Sequence, residues 1–163
     1  MYINKPHLMH LFLRKSPYLL MCVIGFIMCI QCTNKHTTQL DFPKNRWYQS
    51  DVLSLDFNNT SPNELHSVQF NISYVHGFQF SEIPLEVYIT SPLHQISKKS
   101  FSLQLLDENT NEIGDCVGDY CDLKSIIIKD YKFLDQGIYK IKVMHTFNHN
   151  YLPNVLSASL QVD

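Results

Sequence analysis

Beyond its first 32 residues the chain keeps only two of its five cysteines, Cys116 and Cys121. Two thiols cannot complete a structural zinc site, which takes four ligands. The spacing Cys116-Val-Gly-Asp-Tyr-Cys121 leaves two readings, a small disulfide loop or a pair of free thiols, and an oxidising compartment favours the disulfide. Basic residues are scarce in the same region. The first 32 residues take three of the thirteen basic residues and none of the fifteen acidic ones, so the rest carries ten against fifteen, a formal charge of −5. Binding a polyanion needs a basic face, so the composition argues against nucleic acid as a partner. Lys98-Lys99 is the one adjacent basic pair there and reads as a solvated loop or strand end. No amphipathic helix, internal repeat or low-complexity tract is visible. Also missing are a Gly-x-Ser-x-Gly elbow, a phosphate-cradling loop and a metalloprotease helix motif. Nothing therefore assigns catalytic residues, a cofactor, a metal or a small-molecule substrate.

What is present begins with a leader. Lys5, Arg14 and Lys15 supply a positive end, and Tyr18 to Ile30 (YLLMCVIGFIMCI) is an uncharged apolar run. Gln31-Cys32 and a polar stretch follow. This is the shape of a secretory signal whose cleavage leaves a cysteine first. Such a cysteine is lipidated in bacteria, so Cys32 is the expected lipidation site and the mature chain is expected to be anchored to a membrane without spanning it. An uncleaved N-terminal anchor and ordinary secretion remain as alternatives, because Gln31 is a poor fit to the small residue that usually precedes a lipidated cysteine.

The remainder alternates. Leu53/Leu55/Phe57, Val68/Phe70/Ile72/Tyr74, Leu85/Val87/Ile89, Phe101/Leu103/Leu105, Tyr139/Ile141/Val143 and Leu156/Ala158/Leu160/Val162 are each separated by single, mostly polar residues. Period-two alternation marks half-buried strands with one wet face. Ile126-Ile127-Ile128 is too uniform to orient. Polar turn segments, such as Asn58 to Asn63 and Asp107 to Asn111, fall between the runs. The expected fold is all-β: a single antiparallel β-sandwich of about eight strands, Ig-like or jelly-roll-like. The expected organisation is a signal over 1–31, a lipidated N-terminus and tether over 32–45, and a sandwich over 46–163, with Phe42 and Trp47 as candidates to dock on the sheet.

Candidate sites are thin. His145 and His149 share one face only on a helix; on a strand they stand about 13 Å apart, and the bland reading is a surface or strand-end histidine. Asp115, Asp119 and Asp122 could offer oxygens to calcium, but without an EF-hand spacing, and Gly-Asp pairs are ordinary turn formers. The aromatic residues are the better hint. Most belong in the core, but a cluster exposed on one face would bind protein. His76, Phe78, Phe147 and Tyr151 are the candidate contacts. A row of Trp47, Tyr88 and Tyr151 in one groove would instead suit a carbohydrate-binding surface lipoprotein.

Several stretches in order carry a resemblance: Phe42-Pro-Lys-Asn-Arg-Trp47, Asp51 to Phe57, the block Tyr74 to Ile89, Ile113-Gly-Asp-Cys-Val-Gly-Asp119, Gly137-Ile-Tyr-Lys-Ile141 and Leu152-Pro-Asn-Val-Leu156. Together they resemble the gliding motility lipoproteins of the GldH type, found in Bacteroidetes, over almost all of the mature chain. The chain departs from that pattern at His76, where a basic residue is common, at Phe147-Asn148, where Met-Arg often stands, and in its cysteine pair. The resemblance implies a non-catalytic cell-envelope lipoprotein, with the outer membrane the expected one. It implies support of gliding and the associated secretion machinery through contacts with other envelope lipoproteins.

Overall fold

The structure, a computed structural model, describes residues 36–163. The expectations for the signal and for lipidation at Cys32 lie outside the described residues. Eleven strands follow one another: β1 (His36–Asp41), β2 (Arg46–Tyr48), β3 (Leu53–Asn59), β4 (Leu65–Val75), β5 (Glu82–Thr90), β6 (Ile96–Gln104), β7 (Asp115–Val117), β8 (Tyr120–Lys132), β9 (Gly137–His145), β10 (Tyr151–Pro153) and β11 (Val155–Val162). One sheet has the order β1-β11-β4-β8-β7 and the other β3-β9-β5-β6, while β2 and β10 form a separate two-stranded ribbon. Every pairing is antiparallel. The fold is the expected all-β antiparallel sandwich, with three three-residue strands, β2, β7 and β10, bringing the count to eleven.

Alternation in the sequence becomes burial in space. Leu53, Leu55 and Phe57 of β3 face inward, as do Ile83, Leu85, Val87 and Ile89 of β5 and Ile141 and Val143 of β9. Val68, Phe70, Ile72 and Tyr74 of β4, with Ala158, Leu160 and Val162 of β11, cover them from the other sheet. Burying a side chain of this size contributes roughly 1.5–3 kcal/mol, and two facing apolar layers supply many such terms.

One boundary is corrected here, and one run that the sequence leaves open acquires a direction. Within the stretch 32–45 expected as tether, His36–Asp41 is a strand paired with β11 from His36↔Val162 to Asp41↔Ser157. Its sequence, HTTQLD, holds one aliphatic residue, so the alternation is faint. An edge strand takes its hydrogen bonds from its neighbour and needs only partial burial. The sandwich therefore includes His36–Asp41, ahead of the expected residue 46. In the Ile126–Ile128 run, Gln69 pairs with Ile126 and Val68 with Ile128, leaving Ile127 as an extra residue. This bulge turns both Ile127 and Ile128 inward while Ile126 stays out, and no period-two reading could have oriented them.

All strand ends fall into two groups. The near end holds the start of β1, the C-terminus and the β3–β4, β5–β6 and β8–β9 connections. Rings of Phe57, His66, Tyr131, Phe133 and Tyr139 cluster there with centroids 4.7–5.7 Å apart. The far end holds the β2–β10 ribbon, the loop after β4 and the β7–β8 hairpin.

Asn59, buried at the near end, donates from Nδ2 to the carbonyls of Phe133 (3.0 Å) and Asp135 (2.8 Å), tying the end of β3 to the β8–β9 connection. Asn59→Ala strips the Asp135 carbonyl of this donor and leaves the Phe133 carbonyl only the longer bond from Asn63 N–H at 3.4 Å, and should cost about 2 kcal/mol in urea unfolding. Asp56→Ala, which removes only the exposed pair with Lys140, should cost under about 1 kcal/mol. Equal small losses would contradict the assignment.

Candidate protein-binding end

The far end is organised by one carboxylate. β4 stops at Val75 and the chain turns through His76-Gly77, with Gly77 at φ +78°, a left-handed conformation that glycine adopts without strain. The turn is pinned by main-chain bonds from Val75 N–H to Asn154 O and from His76 N–H to Asp119 O, both 2.9 Å. Glu112 then closes it. Its Oε1 accepts the N–H groups of Gly77 (3.0 Å) and Phe78 (3.1 Å), and its Oε2 accepts His76 Nε2 at 3.0 Å. The same Oε2 lies 3.5 Å from Cys116 Sγ and 3.4 Å from Cys121 Sγ. Those two sulfurs are joined as a disulfide, across directly paired positions of β7 and β8. One side chain thus clasps the loop after β4 to the disulfide hairpin.

Beneath the clasp Tyr74 is buried, and burial, with the Glu112 carboxylate as second cause, pushes its phenol up, so it stays neutral. Its ring leaves no room at Gly114, where a Cβ would stand 2.6 Å from the hydroxyl oxygen. From Tyr74 a chain of rings runs outward through Phe78, Phe80, Phe147 and His149, with centroids 4.6–5.7 Å apart.

The four residues named as contacts all fall at this end, with different roles. His76 is exposed and pairs with Glu112. Phe78 is an interior residue that anchors the loop, so its ring is not offered to a partner. Phe147 and Tyr151 are half-buried, and the Arg46 guanidinium lies 4.8 Å above the Tyr151 ring. Sequence reading passed over Val117 and Tyr120, which are 77% and 54% exposed at the hairpin tip, together with Ile113 and Tyr48. The signal for the first two was two apolar residues flanking a Gly-Asp turn.

Other candidates dissolve in the geometry. His145 is buried. Its Nδ1 accepts Phe147 N–H at 3.2 Å and its Nε2 donates to Trp47 O at 3.0 Å, which assigns the neutral tautomer and leaves no nitrogen for a metal shared with His149. Asp115 and Asp122 face each other across β7 and β8, Asp122 accepts Ser73 Oγ, and Asp119 sits in the turn. His76, Glu112 and Cys116 bring ligand atoms within 4.8 Å of one another. The cysteine sulfur is spent in the disulfide, so two ligands remain, too few to hold zinc. Lys98 pairs with Glu86 at 2.7 Å and Lys99 lies over Tyr131, so the basic pair braces β6. Trp47 is fully buried and Tyr88 donates to Glu86, so the three rings of the carbohydrate reading form no row.

An antiparallel sandwich with a clasped, loop-rich end defines a small domain of the β-sandwich class. The chain belongs to the GldH lipoprotein family, whose model matches residues 35–162. No curated protein matches it. Among solved structures it is similar to a carbohydrate-binding module from the glycoside hydrolase family 9 protein Cel9A of Ruminococcus flavefaciens FD-1. There the identity is 11%, coverage is 80% of this chain and 99% of that one, and the TM-score is 0.37. A serine protease of Aeromonas sobria follows at 14% identity, 77% of this chain and 26% of that one, and a TM-score of 0.30. TmCBM61, solved with beta-1,4-galactotriose, gives 10% identity, 78% of each chain and a TM-score of 0.27. Scores this low carry no argument about ligand or activity.

Two outcomes test the far end. Glu112→Ala should speed hydrogen exchange at the Gly77 and Phe78 amides while leaving Phe70 protected; unchanged protection at both loop amides would refute the clasp. Burial pushes the His145 imidazole below its ordinary value, against the raising effect of the Trp47 and Tyr48 backbone. The unfolded chain therefore binds the proton more readily, and stability is lost as pH falls below the ordinary imidazole value of about 6.5. The melting temperature should fall more steeply with acidification for the native chain than for His145→Gln, and parallel curves would remove His145 as the cause.

Proposed function

We propose that this chain is a lipid-anchored protein of the outer membrane that supports gliding motility and the associated secretion machinery by protein contact, without catalysis. The observation that carries the reading is the family match over residues 35–162, preceded by a leader ending at Cys32. The arrangement of the domain supports it. The strand nearest Cys32 enters at the near end, and the clasp with its exposed apolar hairpin stands at the far end. Acyl chains on Cys32 confine the domain to a surface, which raises its effective concentration beside similarly anchored envelope lipoproteins, so modest contacts suffice.

The test is made in the organism. Mass spectrometry of the mature protein should find acylated Cys32 at the N-terminus. A strain carrying Val117→Asp with Tyr120→Asp should keep the protein in the membrane fraction yet spread poorly on a surface and lose co-purifying envelope lipoproteins. An intact leader or an unacylated mature N-terminus would refute the anchor. Full spreading with unchanged partners would refute the role of the hairpin.

A further inference from the structure

The near end carries a second feature that protein contact does not use. Leu65, Leu93, Ile96, Leu134 and Ile138 are each 61–68% exposed, and all five belong to this one end. Leu65 opens β4 opposite Lys132, where β8 ends. Leu93 stands in the β5–β6 turn, and that turn packs on the start of β9, since a Cβ on Gly137 would lie 3.1 Å from Pro92 Cγ. Ile138 is the next residue, paired with Asn58. Ile96 and Leu134 line one shallow cleft with Tyr131. Aliphatic side chains from three connections thus crown the end of both sheets.

The chain outside the described residues arrives at the same end. His36 pairs with Val162 and its ring meets Phe57 at 5.3 Å, beside Phe133 and Tyr139. Four residue steps separate Cys32 from His36, a reach of at most about 14 Å. β4 alone, at eleven residues, runs roughly 36 Å toward the far end. An acyl group on Cys32 can therefore bring the near end to a bilayer, while the far end lies beyond its reach.

Resting on the anchored reading above, we infer that this aliphatic crown is a membrane seat: the sandwich stands end-on, with Leu65, Leu93, Ile96, Leu134 and Ile138 in the interfacial layer of the lipid. The β5–β6 turn suits that medium, because its main-chain donors are met internally. Ser91 N–H bonds Gln95 O, His94 N–H bonds Ser91 O, and the Leu93 and Gln95 N–H groups bond Ser91 Oγ. A turn whose N–H groups are met in this way enters the interfacial layer without stranding those donors. Lys129 and Lys132 are exposed toward this end and are outnumbered there by Glu64, Asp130, Asp135 and Asp163, so apolar contact and not charge carries the seat. The lipid chains and the seat are two signals, as stable anchoring by one chain alone requires. The seat also fixes which way the clasp points, outward from the bilayer.

The experiment uses the full acylated protein in phosphatidylethanolamine–phosphatidylglycerol vesicles with brominated acyl chains as quenchers. Bimane is placed on Leu93→Cys, Leu134→Cys or, at the far end, Tyr48→Cys, with the native disulfide kept oxidised. Probes at 93 and 134 should be quenched at least about twofold more than the probe at 48, as interfacial depth demands. Adding Leu65→Asp and Ile138→Asp, both at exposed positions and with the fold checked by circular dichroism, should abolish that difference while the protein still sediments with the vesicles. Equal quenching at the two ends in sedimented protein overturns the seat and leaves the anchor standing. Equal quenching with dimers cross-linked through position 134 gives the crown to a second copy and also overturns it. Protein that stays in the supernatant refutes the anchor and the seat together.

Discussion

Trp47 is the side chain on which both sheets close. Its ring stacks on Phe42 at 5.2 Å and lies 6.0 Å from Phe70 of β4 and 4.9 Å, edge on, from His145 of β9. Its Nε1 donates to Asp51 O at 2.8 Å, so the burial strands no polar atom. The His145 ring that meets it is kept neutral by burial, because a charge in that position would have to be stripped of water, and this outweighs the Trp47 and Tyr48 backbone, which favours the charged form. One indole therefore joins the entry segment, the first sheet and the second. The β2–β10 ribbon, in which Trp47 pairs with Leu152, then caps the far end of the core.

With the core closed, the two ends are free to differ. The far end is polar in its logic: a single carboxylate with 11% side-chain exposure accepts two amides and a histidine and lies against a disulfide. Such charge-assisted bonds hold a loop in one geometry, and a fixed loop presents its neighbours, Val117 and Tyr120, at low entropic cost. The near end is apolar and faces the arriving chain. On the proposed reading, with the far end at work and the near end seated in lipid, confinement and orientation would do the work that concave binding sites do elsewhere.

Much of the sandwich was legible because alternation is a local property. β3, β4, β5, β9 and β11 were visible as period-two runs, since each buries one face against one layer and the pattern needs no knowledge of the partner. β1 escaped because an edge strand can be polar, and β8 because a bulge at Ile127 and many outward charges broke its period. The candidate site was legible only as a region. His76, Phe147 and Tyr151 lie together at the far end, but Phe78 is turned inward as the keystone of its loop, and no sequence signal marks Glu112. In sequence Glu112 is one acid in a polar turn; its meaning comes from Gly77 and Phe78, thirty-five and thirty-four positions away.

The sequence by itself determined the basic and apolar run ahead of Cys32, the all-β class, the scarcity of positive charge and the close spacing of the two cysteines. These follow from composition and from periods of a few residues. Only the tertiary structure decided which ends of the strands gather together, that the acid at 112 closes a loop, and that five scattered leucines and isoleucines are exposed at the one end where His36 lies. Convergence of that kind depends on strand order and register, which are set by the packing of the whole domain and leave no local mark.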